Sequence, residues 1–167
     1  ATEGNNWIFY SLLKSRPKKR RIVVSSIEHK SVLLTARSLV EYGYEVIELP
    51  VTTDGVVDLA TAKALITEDT LLVAVQYANN ETGVIQPIQQ LTELAHRQGA
   101  LMHCDAVQGL GKATLNISEL EVDSASFSAH KIHGPKGVGA LYLNHGVCHW
   151  PFALPLQGGG LEKQVRP

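Results

Sequence analysis

An α/β domain with a largely parallel central sheet is predicted by three features of this 167-residue chain. Strand-like and helix-like segments alternate along its whole length. Residues 71–77 form an apolar run of the kind that suits a strand buried on both faces. Polar clusters fall just after the strands, and in such sheets ligands bind where loops leave the strands' carboxyl ends.

Taken in order, Ala1-Thr2-Glu3 opens a helix-like segment. A hydroxyl and free backbone N–H groups there suit a phosphate, and they suit plain helix capping as well. Residues 22–25 are a short β-branched run, followed by a helical pattern over 29–42 that stops at Gly43. Residues 44–49 read as a strand closed by Pro50. Thr53-Asp54-Gly55 is a turn, and Asp58 caps a helix running to about residue 66. A helix over 87–98 ends at Gly99, and residues 100–104 form the next strand. Residues 123–127 and 138–143 read as strands flanking a lysine-bearing segment. No internal repeat or low-complexity segment interrupts this order, so residues 1–167 are read as one domain.

Composition excludes several classes. A chain that is 44% hydrophobic and 19% charged is of globular type. Its formal net charge of -1 gives no general pull toward nucleic acid or anionic lipid. The one basic run, Lys14, Arg16, Lys18, Lys19, Arg20 and Arg21, has no interleaved aromatics and reads as a solvated loop. No apolar run is long enough to span a bilayer, and no signal peptide is visible. Two cysteines, Cys104 and Cys148, make no disulfide framework and suit a reducing compartment. A cytoplasmic location is expected, with a mitochondrial one left open. The polar start without a methionine and the abrupt end at Arg166-Pro167 suggest a piece of a longer protein.

The most informative stretch is Ser126-Phe127-Ser128-Ala129-His130-Lys131-Ile132-His133-Gly134-Pro135-Lys136-Gly137. A lysine held between a polar Ser/His pair and a Gly/Pro turn can form an imine with an aldehyde. Ser128 and His130 can donate hydrogen bonds to an anion. Pyridoxal 5'-phosphate (PLP) is both in one molecule, and it is the expected cofactor. The plain alternative is a surface lysine beside a turn. Asp105, after a buried strand, suits a protonated pyridine nitrogen or the cap of the turn that follows, and Gln108 can reach a phenolic oxygen. His29 can stack on a flat ring and relay protons, or serve as a cap. Asn79-Asn80-Glu81-Thr82-Gly83 is turn chemistry that can also aim an amide into the site.

Other chemistries fail on spacing. Gly109-Leu110-Gly111-Lys112-Ala113 is not a phosphate-binding loop of the Walker type, and Gly134, Gly137 and Gly139 do not make a dinucleotide fingerprint. His103-Cys104 and Cys148-His149 are adjacent pairs whose side chains diverge on a strand, so no metal site is expected. There is no Gly-x-Ser-x-Gly element.

Together these motifs resemble the large domain of the PLP-dependent cysteine desulfurases, the NifS-like group of the class-V aminotransferase superfamily. The matching elements are Ala1-Thr2-Glu3 with Asn6, Glu28-His29-Lys30, Asn79 to Gly83, His103-Cys104-Asp105-Ala106-Val107-Gln108, Ser128 to Gly137, and Gly158-Gly159-Gly160. They follow the family's order over nearly the whole chain. The resemblance implies a three-layer, aspartate-aminotransferase-like PLP-transferase fold. It implies that Lys131 carries the imine and moves the α-proton, and that Asp105 pairs with the pyridinium. His29 would stack on the ring and serve in proton transfer, and Gln108 would bond the phenolic oxygen. Thr2, Ser128, His130 and the backbone of Ala1 would hold the phosphate, with Asn80 beside the substrate carboxylate and the cofactor.

The implied reaction takes sulfur from L-cysteine, leaving L-alanine and an enzyme persulfide for iron–sulfur or thio-cofactor synthesis. The implied partners are a second copy of the chain and a sulfur-acceptor or scaffold protein, with no nucleic acid and no membrane. In this family the persulfide cysteine and the substrate-binding arginine lie beyond the Gly-Gly-Gly element. Neither Cys104 nor Cys148 matches that cysteine, and Arg166 is not given the arginine's role. The N-terminal arm and the small C-terminal domain are expected to be missing, as is the loop needed for turnover. Selenocysteine lyase or another class-V enzyme is the related alternative; a non-catalytic folding or interaction module is the unrelated one.

Overall fold

The computed structural model describes residues 1–15 and 18–144. Its frame is a six-stranded sheet in the order β2-β1-β3-β4-β5-β6. The strands are β1 (Arg21–Ser25), β2 (Glu45–Leu49), β3 (Thr70–Gln76), β4 (Leu101–Asp105), β5 (Ser124–Ser128) and β6 (Gly139–Leu143). All neighbours are parallel except β5 and β6. The first five strands therefore share one carboxyl edge, and the loops above it form the site.

Alternation along the strands sorts the core into two layers. Ile22, Val24, Leu72 and Ala74 face α1 (Thr2–Ser15) and α2 (Lys30–Ser38), packing with Ile8, Phe9, Leu12, Val32 and Ala36. Val23, Val73, Val75, Met102 and Cys104 face the opposite layer of α3 (Leu59–Leu65) and α4 (Ile88–Arg97), packing with Ala62, Ile88, Leu91 and Ala95. Every residue of β3 is buried, as a central strand covered on both faces must be. Helices on both faces of the sheet make the expected three-layer architecture.

The local signals act as read. Asp58 caps α3 by accepting from the N–H groups of Ala60 and Thr61. Gly43, in the left-handed region at φ 81, ends the 3-10 turn Leu39–Tyr42 that follows α2. The helix expected over 29–42 is thus an α-helix followed by a 3-10 turn. A short helix, α5 (Ile117–Leu120), was not foreseen.

Three residues of the basic run are taken up locally, while Arg16 lies outside the described residues. Lys19 Nζ donates to the carbonyls of Gln98 and Gly99, Arg20 lies 4.9 Å over the Tyr44 ring, and Arg21 pairs with Glu45 at 2.8 Å. Arg21 belongs to β1 rather than to a loop. No helix among the described residues is long and apolar enough to cross a membrane.

Candidate active site

The carboxyl edge of the sheet opens into a cleft of about 1050 Å³. Four of the five parallel strands deliver a polar group to it. His29 follows β1, Asn80 follows β3, Asp105 ends β4 and Ser128 ends β5. Ala1 and Thr2 reach the cleft from the start of α1, Gln108 from the turn after β4, and His130 and Lys131 from the turn after β5. All the site residues singled out from the sequence line this one cavity.

Asp105 forms the floor and is only 6% exposed. Its Oδ1 accepts from the backbone N–H of Val107 at 3.1 Å, so it does cap the following turn. Its Oδ2 accepts from Asn5 Nδ2, on α1, at 2.8 Å. Both partners are neutral donors, and among the described residues Asp105 has no cationic partner. A carboxylate so placed, facing a cleft, is complementary to a cationic ring nitrogen. His29 is likewise both cap and lining residue: its Nδ1 lies 3.2 Å from the N–H of Ser31, at the start of α2, and 2.8 Å from Ser31 Oγ.

The opposite wall is the 3-10 turn Ala129–Ile132. Ser128 Oγ and His130 Nδ1 are 2.9 Å apart. The turn closes when Gly134 N–H donates to the Ala129 carbonyl at 2.8 Å, with His133 left-handed at φ 64. A β-carbon at Gly134 would lie 2.8 Å from that of Ala129, so this closure needs glycine. Lys131 is exposed at the crest of the turn, and among the described residues its ammonium has no hydrogen-bond or ion-pair partner. The first turn of α1 is seated on β5 by another close approach, since a β-carbon at Gly4 would lie 2.9 Å from Ser126 Oγ. That packing sets a helix N-terminus, with its unsatisfied N–H groups and the Thr2 hydroxyl, beside Ser128 and His130.

The donor set fits PLP: an N-terminus with hydroxyl and imidazole donors for a phosphate, an amine for an aldehyde, and a carboxylate for a pyridinium.

Three buried groups near the floor were given no role in the site by the sequence reading. Glu28 Oε1 accepts from Ser25 Oγ and from the backbone N–H of Gln76, the latter at 2.8 Å. Its Oε2 has no partner among the described residues, and burial pushes its carboxyl up to about 8. Asn5 and His103 are both wholly buried beneath Asp105. A glutamate or histidine inside an otherwise apolar strand or its edge is the signal that could have flagged them. Asn79, by contrast, serves the scaffold: its Oδ1 accepts from the N–H groups of Glu81 and Thr82 at 2.9 Å, and its Nδ2 donates to the Ile27 carbonyl at 3.1 Å. Cys104 points into the opposite layer, where burial holds its thiol well above the usual range. Cys148, Gly158, Gly159, Gly160 and Arg166 lie outside the described residues.

A family model described as "Aminotransferase class-V" matches residues 1–165. The chain belongs to the class-V aminotransferase family. Among its relatives, "Cysteine desulfurase 2" of Trichormus variabilis is 43% identical over 165 residues, covering 99% of this chain and 41% of that protein. A solved structure titled "NIFS-LIKE PROTEIN" superposes with a TM-score of 0.91 at 44% identity, covering 99% of this chain and 46% of the other. Another, "SspA in complex with cysteine", gives a TM-score of 0.83 at 30% identity, over 98% and 48%. This class-V aminotransferase chain therefore spans less than half the length of these relatives. The likeness to the NifS-like structure supports the fold expected from the motifs, a PLP-transferase large domain with a mainly parallel sheet.

Proposed function

We propose that the cleft binds PLP and that the protein carrying this chain is a cysteine desulfurase, converting L-cysteine and a protein thiol into L-alanine and a protein persulfide. The observation that carries this reading is Asp105: a buried carboxylate with no cationic partner among the described residues, on the floor of a cleft that Lys131 also lines. The names of the relatives, one of them solved with cysteine, support the substrate.

When bound, PLP supplies an electron sink conjugated to the substrate's α-carbon. Lys131 would hold the group at its aldehyde and would take and return a proton at the substrate's α-carbon. Asp105 would keep the ring nitrogen protonated, and His29 would stack on the ring and move a proton through its imidazole. Gln108 donates to the phenolic oxygen; its Oε1 accepts from Lys112 Nζ at 2.5 Å, which leaves the amide N–H groups for that task. Thr2, Ser128, His130 and the backbone at Ala1 bind the phosphate, and Asn80 meets the substrate carboxylate.

A thiolate attacking the substrate sulfur forms an S–S bond as the Cβ–S bond breaks; the β-carbon keeps that bond's electron pair and takes a proton, which gives alanine. Cys104 does not supply that thiolate, because it is buried on the far face of the sheet. The proposal includes a second copy of the chain completing the site, a separate sulfur-acceptor protein, and a reducing, cytoplasmic setting.

The test is to load the purified protein with PLP and measure alanine and protein-bound persulfide from L-cysteine, with L-selenocysteine in parallel. Alanine and persulfide from L-cysteine support the reading. A PLP-loaded protein that releases alanine only from L-selenocysteine, or from neither, overturns it.

A further inference from the structure

We propose that Asn5 is a positioning residue, which orients Asp105 directly and His29 through Ser31 before any ligand enters the cleft. This role rests on the PLP reading above. It follows from counting donors and acceptors along one buried chain of groups. Asn5 Nδ2 lies 2.8 Å from Asp105 Oδ2 and 2.9 Å from Ser31 Oγ, and Asn5 Oδ1 lies 3.0 Å from His103 Nε2. His103 Nδ1 in turn lies 2.9 Å from Ser124 Oγ.

Only one proton arrangement satisfies every contact. The Asp105 carboxylate accepts, so the amide must present nitrogen to it; the reversed amide would set oxygen against oxygen. Asn5 Oδ1 then needs a donor, which puts the ring proton of His103 on Nε2 and leaves Nδ1 to accept from the Ser124 hydroxyl. Burial depresses His103 to about 3, so the ring is neutral and can hold one proton only. Ser31 Oγ accepts from Asn5, which frees its own proton for His29 Nδ1. That nitrogen also accepts the Ser31 backbone N–H, so the proton of neutral His29 sits on Nε2.

Elements distant in sequence are thereby locked together: α1 through Asn5, β4 through His103 and Asp105, β5 through Ser124, and the start of α2 through Ser31. Asp105 and His29, the two groups assigned to the ring, are tied to the same amide. The cleft floor is set from behind by Asn5, His103 and Ser124, none of which lines the cleft.

Two readouts test this. The first needs no cofactor: long-range proton–nitrogen correlation spectra of ¹⁵N-histidine-labelled protein, with His103 assigned by a His103→Gln variant. The proposal requires the His103 proton on Nε2 and Nδ1 bare. A proton on Nδ1 would reverse the Asn5 amide and overturn the proposal. The second is the dissociation constant for PLP and the pH midpoint of the bound cofactor's absorbance in Asn5→Ala and Ser31→Ala. Losing a hydrogen bond to a charged group should weaken PLP by about tenfold or more in Asn5→Ala and shift the midpoint. Ser31→Ala, which keeps the bond to Asp105 but releases His29 Nδ1, should weaken PLP binding by less than Asn5→Ala does. A folded Asn5→Ala protein with wild-type affinity and midpoint overturns the positioning role. Wild-type protein that binds no PLP refutes the functional reading instead, and the His103 ring proton still reports on the buried chain.

Discussion

The floor of the cleft and the turn that bears Lys131 hold their polar groups by different means. On the floor, Asp105 is buried and held by Asn5 and Val107, and its supports reach through His103 to Ser124. On the turn, Lys131 is exposed and has no partner among the described residues, and its position is set by backbone closure between Ala129 and Gly134. The floor is a preorganised scaffold whose Asp105 is already held by two neutral donors. The turn presents a reactive amine that gains its partner only from a ligand. Changes to the floor should therefore cost stability, and changes to the crest of the turn should cost chemistry.

The largest separation should come from Lys131→Ala. Turnover should fall by on the order of 10²–10⁴, the range for losing a positioned acid–base group. Denaturation midpoints should stay within about 0.5 kcal/mol of wild type, as for an exposed residue with no structural bond. A large stability loss in this variant would erase the contrast. Conversely, Leu72→Ala, wholly buried in β3 between the sheet and the α1–α2 layer, should cost about 2–5 kcal/mol in urea unfolding. At temperatures where it remains folded it should still capture PLP.

A finer effect concerns pH. Glu28 is raised from 4.5 to about 8, so the folded state keeps a proton that the unfolded state loses, and stability falls as pH rises through that window. The Asp105 carboxylate adds to this cost. His103 is lowered from 6.5 to about 3, so the unfolded state gains a proton first, and stability is lost as pH falls through that window. The two slopes cancel between 4.5 and 6.5, leaving a plateau with losses on either side. Glu28→Gln places a neutral amide where the neutral acid stood. Urea midpoints across pH should then show no decline between 6.5 and 8, while the acid limb remains and reaches up to 6.5. An unchanged alkaline limb in that variant would assign the loss to another group.

Much of this was legible from the sequence, for reasons that differ by region. Strands such as β1 and β3 announce themselves because a doubly covered parallel strand has little room for polar residues. The cleft residues were legible because chemistry needs particular side chains at strand ends, and His29, Asp105 and Lys131 stand there. The direction of β6 could have been read as well. Only residues 129–138 join it to β5, too few for the crossover that a parallel partner needs. The Asn5–His103 chain was not legible. Its bonds join residues 26, 98 and 100 positions apart, and no periodicity records such pairings. Asn5 looked like one more polar residue in a helix, and His103 was weighed only as a metal ligand. Its burial between Asn5 and Ser124 shows what the imidazole is for.

The most direct measurement is to incubate the protein with PLP, reduce with borohydride, digest it and map the modified peptide by mass spectrometry. A single pyridoxyl mass on Lys131, absent from Lys131→Ala, is the expected result. A label spread over surface lysines such as Lys18, Lys63 and Lys136, with none enriched at Lys131 in the folded protein, would show that the cleft is not a PLP site.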